Sequence, residues 1–373
     1  MNLKIKKEIL MKHLNYVIKG ISNKNLRPIL NCIKFELKKE GLYLLSSDND
    51  IAIKTFIGKE DIEDGYKNGN IVVSGRYIYD IIRKLPNEII NIEEVVDSKL
   101  FISTPNSSFT LNCSNVEEFP NIELEEVKNP IILDSKILKN IINQTSFASS
   151  NQESRPILTG INFKIEKNIL SCIATDSYRL SKKIIELPKN IKENINIIIP
   201  TKNILELIKL LDENDDNLEI HIFQNKIIFK FGTIEMLSRL INGDYPDVSK
   251  LIPEEFLVKM ELNLSNFYNL LDRVSLFSNE EERNTIKLES EKKNIIVSSN
   301  ILEIGNVEEK IEIKKDKDVD IKIAFSSKYM MDAIKVLNCD EIELSFNGEV
   351  KPIIIKNKED DSLIQLILPI KTY

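Results

Sequence analysis

The sequence predicts an α+β fold in which one structural unit occurs three times along the 373 residues. Two segments recur at nearly constant spacing, one near each end of the unit, and they keep the same order along the chain. The stretches between them alternate apolar and polar residues, as in KLFISTPNSSFTLNCS and NKIIFKFGTIEMLSRL, which is typical of half-buried strands. The chain is also too long for one ordinary core, so several domains are expected.

The first recurring segment is predicted to be a helix. A shift of 126 residues superposes SGRYIYDIIRKL (74–85), PTKNILELIKLL (200–211) and SSKYMMDAIKVL (326–337). Each copy follows a short β-branched or apolar run, and its apolar residues recur three and four positions apart. That spacing predicts an amphipathic helix with one face packed on a sheet.

The second recurring segment begins with RPIL in two of the copies. A shift of 128 residues pairs RPILNCIKF (27–35) with RPILTGINF (155–163), and Asp48 with Asp176; Arg283 lies at the next step. Each unit also opens with a strand followed by a helix. We therefore predict about eight short strands and two helices per unit. The predicted domains span 1–127, 128–253 and 254–373.

The location of the charges is more informative than their sum. A net charge of −7 argues against tight binding to nucleic acid, because proteins that grip nucleic acids usually have a basic surface. Opposite its apolar face, however, each recurring helix has two cations and one carboxylate, and five of the six predicted helices have a positive sum. The three triplets are Arg76, Asp80 and Arg83; Lys202, Glu206 and Lys209; and Lys328, Asp332 and Lys335.

This sorting of charge predicts a surface that faces a polyanion. If the units close end to end, the helices line one side with cations, while the sheets and loops outside hold the acidic excess. Within each triplet the carboxylate lies about one turn from the cations, so a pair at i,i+3 or i,i+4 is available. Weak contact with a polyanion suits a protein that has to slide along it.

The chain lacks the residue patterns of catalytic and metal sites. His13 and His221 are the only histidines, and both are expected at the surface or half-buried. The four cysteines are far apart and are expected to be ordinary thiols, and no glycine-rich phosphate loop occurs. We therefore expect no enzymatic activity, no cofactor and no metal. With no apolar run near the roughly 18 residues of a membrane span, and no signal peptide, we expect a cytoplasmic protein.

Four segments carry a family resemblance: ATDSYRLS (174–181), NGDYPDVSKLIP (242–253), FNGEVKPIII (346–355) and LILPIKTY (366–373). With the repeats, they make essentially the whole chain resemble the bacterial DNA sliding clamp, the beta subunit of the replicative DNA polymerase III. The resemblance implies the DNA clamp fold, in which three similar domains per chain and two chains joined head to tail form a ring, with helices lining the hole and sheets outside. It implies a processivity factor that encircles duplex DNA, tethers the polymerase and is opened by a clamp loader.

The resemblance also implies a pocket between the second and third domains for short peptides of the polymerase, the clamp loader and repair proteins. Its implied lining is apolar with a few cations at the rim, which suits aliphatic or aromatic anchors. Tyr178 stands where the family usually has His, and Lys250 and Lys371 stand where Arg is frequent. The implied pocket residues are Leu158, Thr175, Tyr178, Arg179, Leu180, Pro246, Lys250, Leu251, Pro352, Leu366, Leu368, Pro369, Ile370 and Lys371.

Without the resemblance, the segment TDSYRL predicts something simpler. It reads as a turn at the end of a strand, in which Asp176 pairs with Arg179 and Leu180 returns to the core.

For DNA, the family pattern points to Lys24, Gln152 and Arg155 in polar loops. It also implies a subunit joint in which Phe109 and Leu111 of one chain lie near Leu276 and Phe277 of the other. A ring removes exposed sheet edges, because edge strands can pair across each joint. With the helix cations included, the expected DNA-facing residues are Lys24, Arg27, Arg76, Arg83, Lys136, Lys139, Gln152, Arg155, Lys202, Lys209, Lys328 and Lys335.

Two other classes of protein are compatible with parts of this pattern. An enzyme of repeated α+β units, similar to the enolpyruvyl transferases, would need Arg and Lys converging on one cleft, whereas the cations here repeat in every copy. A peptide-binding scaffold that does not bind DNA would keep its partners after Arg76, Lys202 and Lys328 were replaced by Glu.

Overall fold

The computed structural model describes residues 1–22, 27–63, 65–95, 98–211, 217–279, 281 and 283–371. Within these residues one order of elements occurs three times: a strand, a helix, three strands, another strand, a second helix and three final strands. This confirms the α+β class and the threefold repeat. None of the helices in these ranges is both long and apolar enough to cross a bilayer.

The helices begin and end close to where the sequence predicts them. They are α1 (Lys7–Val17), α2 (Gly75–Lys84), α3 (Ser135–Thr145), α4 (Thr201–Leu210), α5 (Leu264–Val274) and α6 (Ser327–Lys335). In α2 the predicted apolar face buries Ile78 and Ile82, with Ile81 half-buried at its margin. Three of the described helices have a side-chain cap: Asp134 Oδ1 accepts from the backbone N–H of Lys136 at 2.6 Å, Asn263 Oδ1 from that of Asn266 at 3.0 Å, and Ser326 Oγ from that of Tyr329 at 3.4 Å.

The strands are short and antiparallel throughout. In the first copy they are β1 (Asn2–Lys6), β2 (Cys32–Leu37), β3 (Gly41–Ser47), β4 (Ile51–Gly58), β5 (Gly69–Ser74), β6 (Ile89–Val95), β7 (Lys99–Thr104) and β8 (Ser107–Ser114). In the middle copy they are β9 (Ile131–Leu133), β10 (Gly160–Glu166), β11 (Ile169–Thr175), β12 (Arg179–Glu186), β13 (Ile195–Pro200), β14 (Leu218–Ile222), β15 (Lys226–Phe231) and β16 (Ile234–Arg239). In the third copy they are β17 (Val258–Asn263), β18 (Thr285–Glu291), β19 (Asn294–Ile301), β20 (Gly305–Glu312), the two-residue β21 (Lys314–Lys315), β22 (Lys322–Ser326), β23 (Glu341–Phe346), β24 (Ile353–Asn357) and β25 (Asp360–Ile367).

The compact units do not coincide with the three copies. The first unit comprises Met1–Leu138 and Lys202–Leu240, and the second Lys139–Thr201 and Ile241–Tyr373. The first contains a twelve-stranded sheet in the order β1-β6-β7-β8-β5-β2-β3-β4-β16-β15-β14-β9. The second contains a nine-stranded sheet, β13-β10-β11-β12-β25-β24-β23-β17-β21, and a four-stranded sheet, β20-β19-β18-β22. The middle copy is therefore divided between the two units.

Neighbouring copies join through one kind of strand pairing. In the first unit β4 pairs antiparallel with β16, with Ile51 opposite Ser238. In the second unit β12 pairs antiparallel with β25, with Arg179 opposite Ile367. Each joint thus pairs the fourth strand of one copy with the last strand of the next. Among the described residues, β20, the fourth strand of the third copy, pairs only with β19, and β8, the last strand of the first copy, pairs with β7 and briefly with β5.

The core includes both histidines, contrary to the expectation that they lie at the surface or half-buried. His13 Nδ1 lies 2.6 Å from Thr55 Oγ1, and His221 Nδ1 accepts a hydrogen bond from the Val127 N–H at 3.1 Å. These partners satisfy ring nitrogens that burial removes from water. As expected, the thiols are ordinary: Cys32 and Cys172 are buried, and the other two are half-buried.

Candidate nucleic-acid interface and peptide pocket

The outer face of α2 has the predicted pair of cations and one carboxylate. Arg76 and Arg83 are exposed, and an Arg83 Nη lies 2.8 Å from Asp80 Oδ1, one turn away. Because one carboxylate faces two guanidinium groups, this face keeps a net positive charge.

The same face of α4 is less positive than the sequence predicts. Lys209 Nζ lies 2.6 Å from Glu206 Oε1, the expected pair one turn apart. Lys202 Nζ lies 2.6 Å from Asp50 Oδ2, in the turn that precedes β4. A second carboxylate therefore balances a cation that the sequence pattern leaves free.

In α6 the carboxylate pairs away from its own helix. Asp332 Oδ2 lies 2.6 Å from Arg179 Nη1, at the start of β12, instead of pairing with a lysine one turn away. Lys328 and Lys335 are exposed and form no ion pair with any residue that the structure describes. Of the three faces, that of α6 therefore offers two uncompensated cations.

The other residues predicted to face DNA vary in exposure. Arg27, Lys136 and Gln152 are exposed, whereas Lys139 is half-buried. Arg155 is exposed and donates to Ser177 Oγ at 3.1 Å, which orients its guanidinium toward a neighbouring turn. Lys24 lies outside the described residues.

An apolar cluster forms around Leu180 in the second unit. Leu180 and Leu366 lie opposite each other in the β12–β25 pairing. They pack with Ile173, Val248 and Ile354, and we call these five residues the Leu180 cluster. Half-buried side chains pack against it, and they are Tyr245, Ile252, Phe256, Ile364 and Leu368.

The turn between β11 and β12 lies beside this cluster. Asp176 Oδ1 accepts hydrogen bonds from the backbone N–H groups of Tyr178 at 2.8 Å and Arg179 at 2.9 Å. Thr175 Oγ1 donates to the Arg179 carbonyl at 2.6 Å, and the Thr175 N–H donates to the Tyr245 hydroxyl oxygen at 3.0 Å. Burial raises the pKa of Tyr245, so that hydroxyl stays protonated at neutral pH. The strand-end turn predicted from TDSYRL is present.

Arg179 lies on the opposite face of β12 from Leu180, because successive strand residues alternate. Its Nε lies 3.0 Å from Asp176 Oδ2, as the sequence predicts, and its Nη1 contacts Asp332. Its guanidinium carbon lies 4.4 Å from the ring centre of Tyr329 and 5.4 Å from that of Phe147. Two carboxylates and two rings thus surround this cation, away from the Leu180 cluster.

The C-terminal segment runs beside the same turn. The Leu368 N–H donates to the Tyr178 carbonyl at 2.8 Å, and the Ile370 N–H donates to the Ala324 carbonyl at 2.7 Å. The Tyr178 ring is exposed, and the Arg283 guanidinium carbon lies 5.2 Å from its centre. Pro369 is half-buried and Lys371 is exposed. The predicted residues of this tail therefore border the turn that also holds Leu180.

The remaining predicted pocket residues lie at different depths. Leu158 is buried, Pro352 is half-buried, and Pro246, Lys250 and Leu251 are exposed. The sequence prediction missed Tyr245 and Val248, which contact the turn and the cluster respectively. Both lie in NGDYPDVSKLIP, on either side of the predicted Pro246. Their apolar side chains in that segment could have indicated a place in the site.

Comparison with known proteins places the whole chain in one family. The DNA polymerase III beta subunit models match in order: the N-terminal domain over 1–123, the central domain over 132–247 and the C-terminal domain over 249–371. The chain belongs to the DNA polymerase III beta subunit family. The beta sliding clamp of Staphylococcus aureus is 39% identical over 100% of both chains. Two solved structures cover 100% of both chains with a TM-score of 0.95: the DNA polymerase sliding clamp of Bacillus subtilis, 37% identical, and the DNA polymerase III beta chain of Streptococcus pneumoniae, 30% identical.

In this beta-subunit chain, the residues predicted for the subunit joint lie on or beside the two free strand edges. Phe109 is exposed and Leu111 half-buried on β8. Leu276 is exposed and Phe277 half-buried in the turn after α5, and Ser299 Oγ of β19 donates to the Phe277 carbonyl at 2.7 Å. That hydrogen bond ties the turn to the hairpin whose outer strand is β20.

No group of three or more His, Cys, Asp or Glu side chains suited to a metal ion occurs in the part of the beta-subunit chain that the structure describes.

Proposed function

We propose that two copies of this chain close head to tail into a ring around duplex DNA and tether the replicative polymerase to it. The observation that carries the proposal is the repeated joint. Both joints inside the chain pair the fourth strand of one copy with the last strand of the next, and in the described residues β20, and β8 apart from Cys113 and Ser114, have an unpaired edge. In a head-to-tail dimer, β20 of each chain pairs with β8 of the other, so the same joint forms twice and both edges are paired.

The three domains of the proposed ring span 1–127, 128–253 and 254–373. The family matches over 1–123, 132–247 and 249–371 support these boundaries. The protein acts in the cytoplasm as an accessory subunit with no reaction of its own, and an ATP-driven loader from other proteins opens it.

The helices supply the surface toward DNA. The cations of α2, α4 and α6 repeat at two positions of each copy, and the same surface includes Arg27, Lys136, Lys139, Gln152 and Arg155. Several of these cations are already paired with carboxylates, so few of them neutralise phosphates tightly. The ring therefore releases few counterions on binding and slides, while its topology keeps it on the DNA.

The Leu180 cluster and its border form the proposed site for partner peptides. It offers apolar surface next to the exposed Tyr178 and Leu251, with Lys250 and Lys371 as cations at the rim. Such a site takes a short extended peptide with aliphatic or aromatic anchors. In the proposed subunit joint, Phe109 and Leu111 of one chain lie near Leu276 and Phe277 of the partner.

The decisive test is topological. The protein is loaded onto nicked circular DNA with a clamp loader and ATP, separated from free protein, and the circle is then cut once with a restriction enzyme. We expect retention on the intact circle and release from the linear product, because nothing blocks the ends. The control is linear DNA whose ends are blocked by bound protein, on which retention should persist. Retention on unblocked linear DNA would show site-bound contact and contradict the ring.

A further inference from the structure

The two joints inside the chain share a second contact besides their strand pairing. In the first joint, the turn before β4 meets α4: Asp50 pairs with Lys202, and the Asn203 side-chain amide donates to the Asp50 carbonyl at 3.5 Å. In the second joint, Arg179, which directly follows the turn before β12, contacts Tyr329 and Asp332 of α6. Each joint thus places the start of the fourth strand, with the turn before it, against the second helix of the next copy.

One helix position is used in both joints. The 126-residue shift that superposes the helices carries Asn203 to Tyr329, and it carries Tyr77 of α2 to Asn203. Asn203 is only 2% exposed and donates to Asp50 of the preceding copy and to Ser238 of its own, and Tyr329 is half-buried and contacts Arg179 of the preceding copy. Tyr77 is 64% exposed, and α2 has no preceding copy in its own chain.

The third turn is exposed in the same way. It consists of Leu302, Glu303 and Ile304, between β19 and β20, and it is equivalent to the turns before β4 and β12. Leu302 is 95% exposed and Ile304 is 71% exposed. An isolated exposed apolar side chain is ordinary, but two of them on one three-residue turn, at the position where both other turns meet a helix, indicate an unfilled contact.

We propose that the turn Leu302–Ile304 of one chain packs against Tyr77 on α2 of a second copy, so that an apolar contact stands where the joints inside the chain use ion pairs. The occupant is a second copy because the chain has one unpartnered turn and one unpartnered helix position of this kind. The assignment agrees with the proposed pairing of β20 with β8. The turn directly precedes β20, and α2 belongs to the same copy as β8. The inference rests on the head-to-tail dimer proposed above and names its additional contact.

The contact differs in chemistry from its two counterparts. Lys202 with Asp50 and Arg179 with Asp332 are attractions between opposite charges, which salt screens where they are exposed. The proposed contact instead buries apolar surface of leucine, isoleucine and tyrosine side chains, and salt does not weaken the free energy gained from that burial. The Leu302–Tyr77 contact should therefore persist at high ionic strength.

The test measures the dimer dissociation constant by sedimentation across a concentration series. We expect Tyr77→Lys and Leu302→Glu each to raise that constant by about tenfold or more, since each places an unpaired charge in an apolar contact. The double variant should recover most of the loss, because Lys at position 77 and Glu at position 302 imitate the Lys202–Asp50 pair. Its dimer should weaken as salt rises, unlike the wild type.

A matched control is Val350→Lys, since Val350 is also 64% exposed but lies outside the three joints. Its dissociation constant should equal that of the wild type. Unchanged dimers in both single variants, or a double variant whose loss is the sum of the two single losses, would overturn the proposed contact. A wild-type chain that stays monomeric at every concentration would overturn the head-to-tail dimer itself, and the contact with it.

Discussion

Arg179 and Asp332 lie 153 positions apart in sequence, yet their side chains form an ion pair of 2.6 Å that joins β12 to α6. The carboxylates at equivalent positions in the other copies behave differently: Asp80 and Glu206 each pair with a cation of their own helix. Arg179 also follows the turn beside the Leu180 cluster. The pair therefore links the proposed peptide site to a helix of the proposed DNA surface.

Asp332→Asn should weaken binding of a fluorescein-labelled pentapeptide with Leu and Phe anchors by about fivefold, although Asp332 is no part of the Leu180 cluster. The reason is that Arg179 loses one of the partners that hold the turn against α6. Fluorescence anisotropy measures the affinity. Glu206→Gln, at the equivalent position of α4, is the control and should bind as the wild type does. Equal affinities in both variants would mean that Arg179 does not position the turn through Asp332.

Charge reversal on the helices should impair loading without impairing partner binding. We expect Arg76→Glu, Lys328→Glu and Lys335→Glu combined to lower the yield of loaded clamp on nicked circles by about tenfold, since repulsion replaces attraction to phosphates. Gel filtration of the loaded circles measures the yield. A control variant with Lys59, Lys189 and Lys287 changed to Glu, all exposed and outside the six α-helices, should load normally. An equal loss of loading yield in both variants would mean that loading depends on net charge and not on the cations of the helix faces.

Acid should destabilise the fold partly through His13. Burial, with a smaller effect of Lys12, lowers the pKa of His13 to about 4 from its ordinary 6.5. Above pH 6.5 the ring is neutral in both states, but between pH 6.5 and 4 only the unfolded chain binds the proton, so the free energy of unfolding falls. The loss levels off below pH 4, at up to about 3 kcal/mol.

His13→Asn removes this titration. Urea denaturation of both proteins from pH 7.5 to 4 should show a steeper loss of stability in the wild type. Parallel pH profiles would mean that His13 titrates alike in both states.

The β12–β25 joint contains a buried ammonium group. Lys183 Nζ lies 3.0 Å from Asp360 Oδ2 and within hydrogen-bonding distance of Ser362 Oγ, and its side chain is almost entirely buried. Asp360→Asn should lower the free energy of unfolding by roughly 1–2 kcal/mol, because it leaves that charge without its carboxylate, and the partial exposure of Asp360 limits the cost. Thermal or urea unfolding measures the change. Asp361→Asn, whose carboxylate is largely exposed, should be nearly neutral.

Much of the fold could be predicted because the chain repeats. Apolar residues at helical spacing located α2, α4 and α6, and their buried faces agree with that prediction. The pair of Asp80 with Arg83 followed from spacing alone, since residues three and four apart meet on a helix.

The contacts that the sequence did not reveal depend on distant parts of the chain. The sequence offered Lys202 a pair with Glu206 of its own helix, but Lys202 pairs with Asp50, and nothing local at either residue indicates the other. The burial of His13 likewise depends on Thr55 of β4, which lies across the core from α1. The sequence also did not reveal that the Arg179 guanidinium lies against the ring of Tyr329.

The division of the middle copy between two compact units bears on how such a chain could be shortened or recombined. Truncation of the chain at residue 254 would remove β25, so that β12 would change from an interior strand of the nine-stranded sheet to an unpaired edge strand. The sequence repeat and the compact unit are therefore different parts of the chain. Each compact unit is assembled from two separate stretches of the chain, so no continuous fragment reproduces one, and a lone repeat is left with unpaired strand edges.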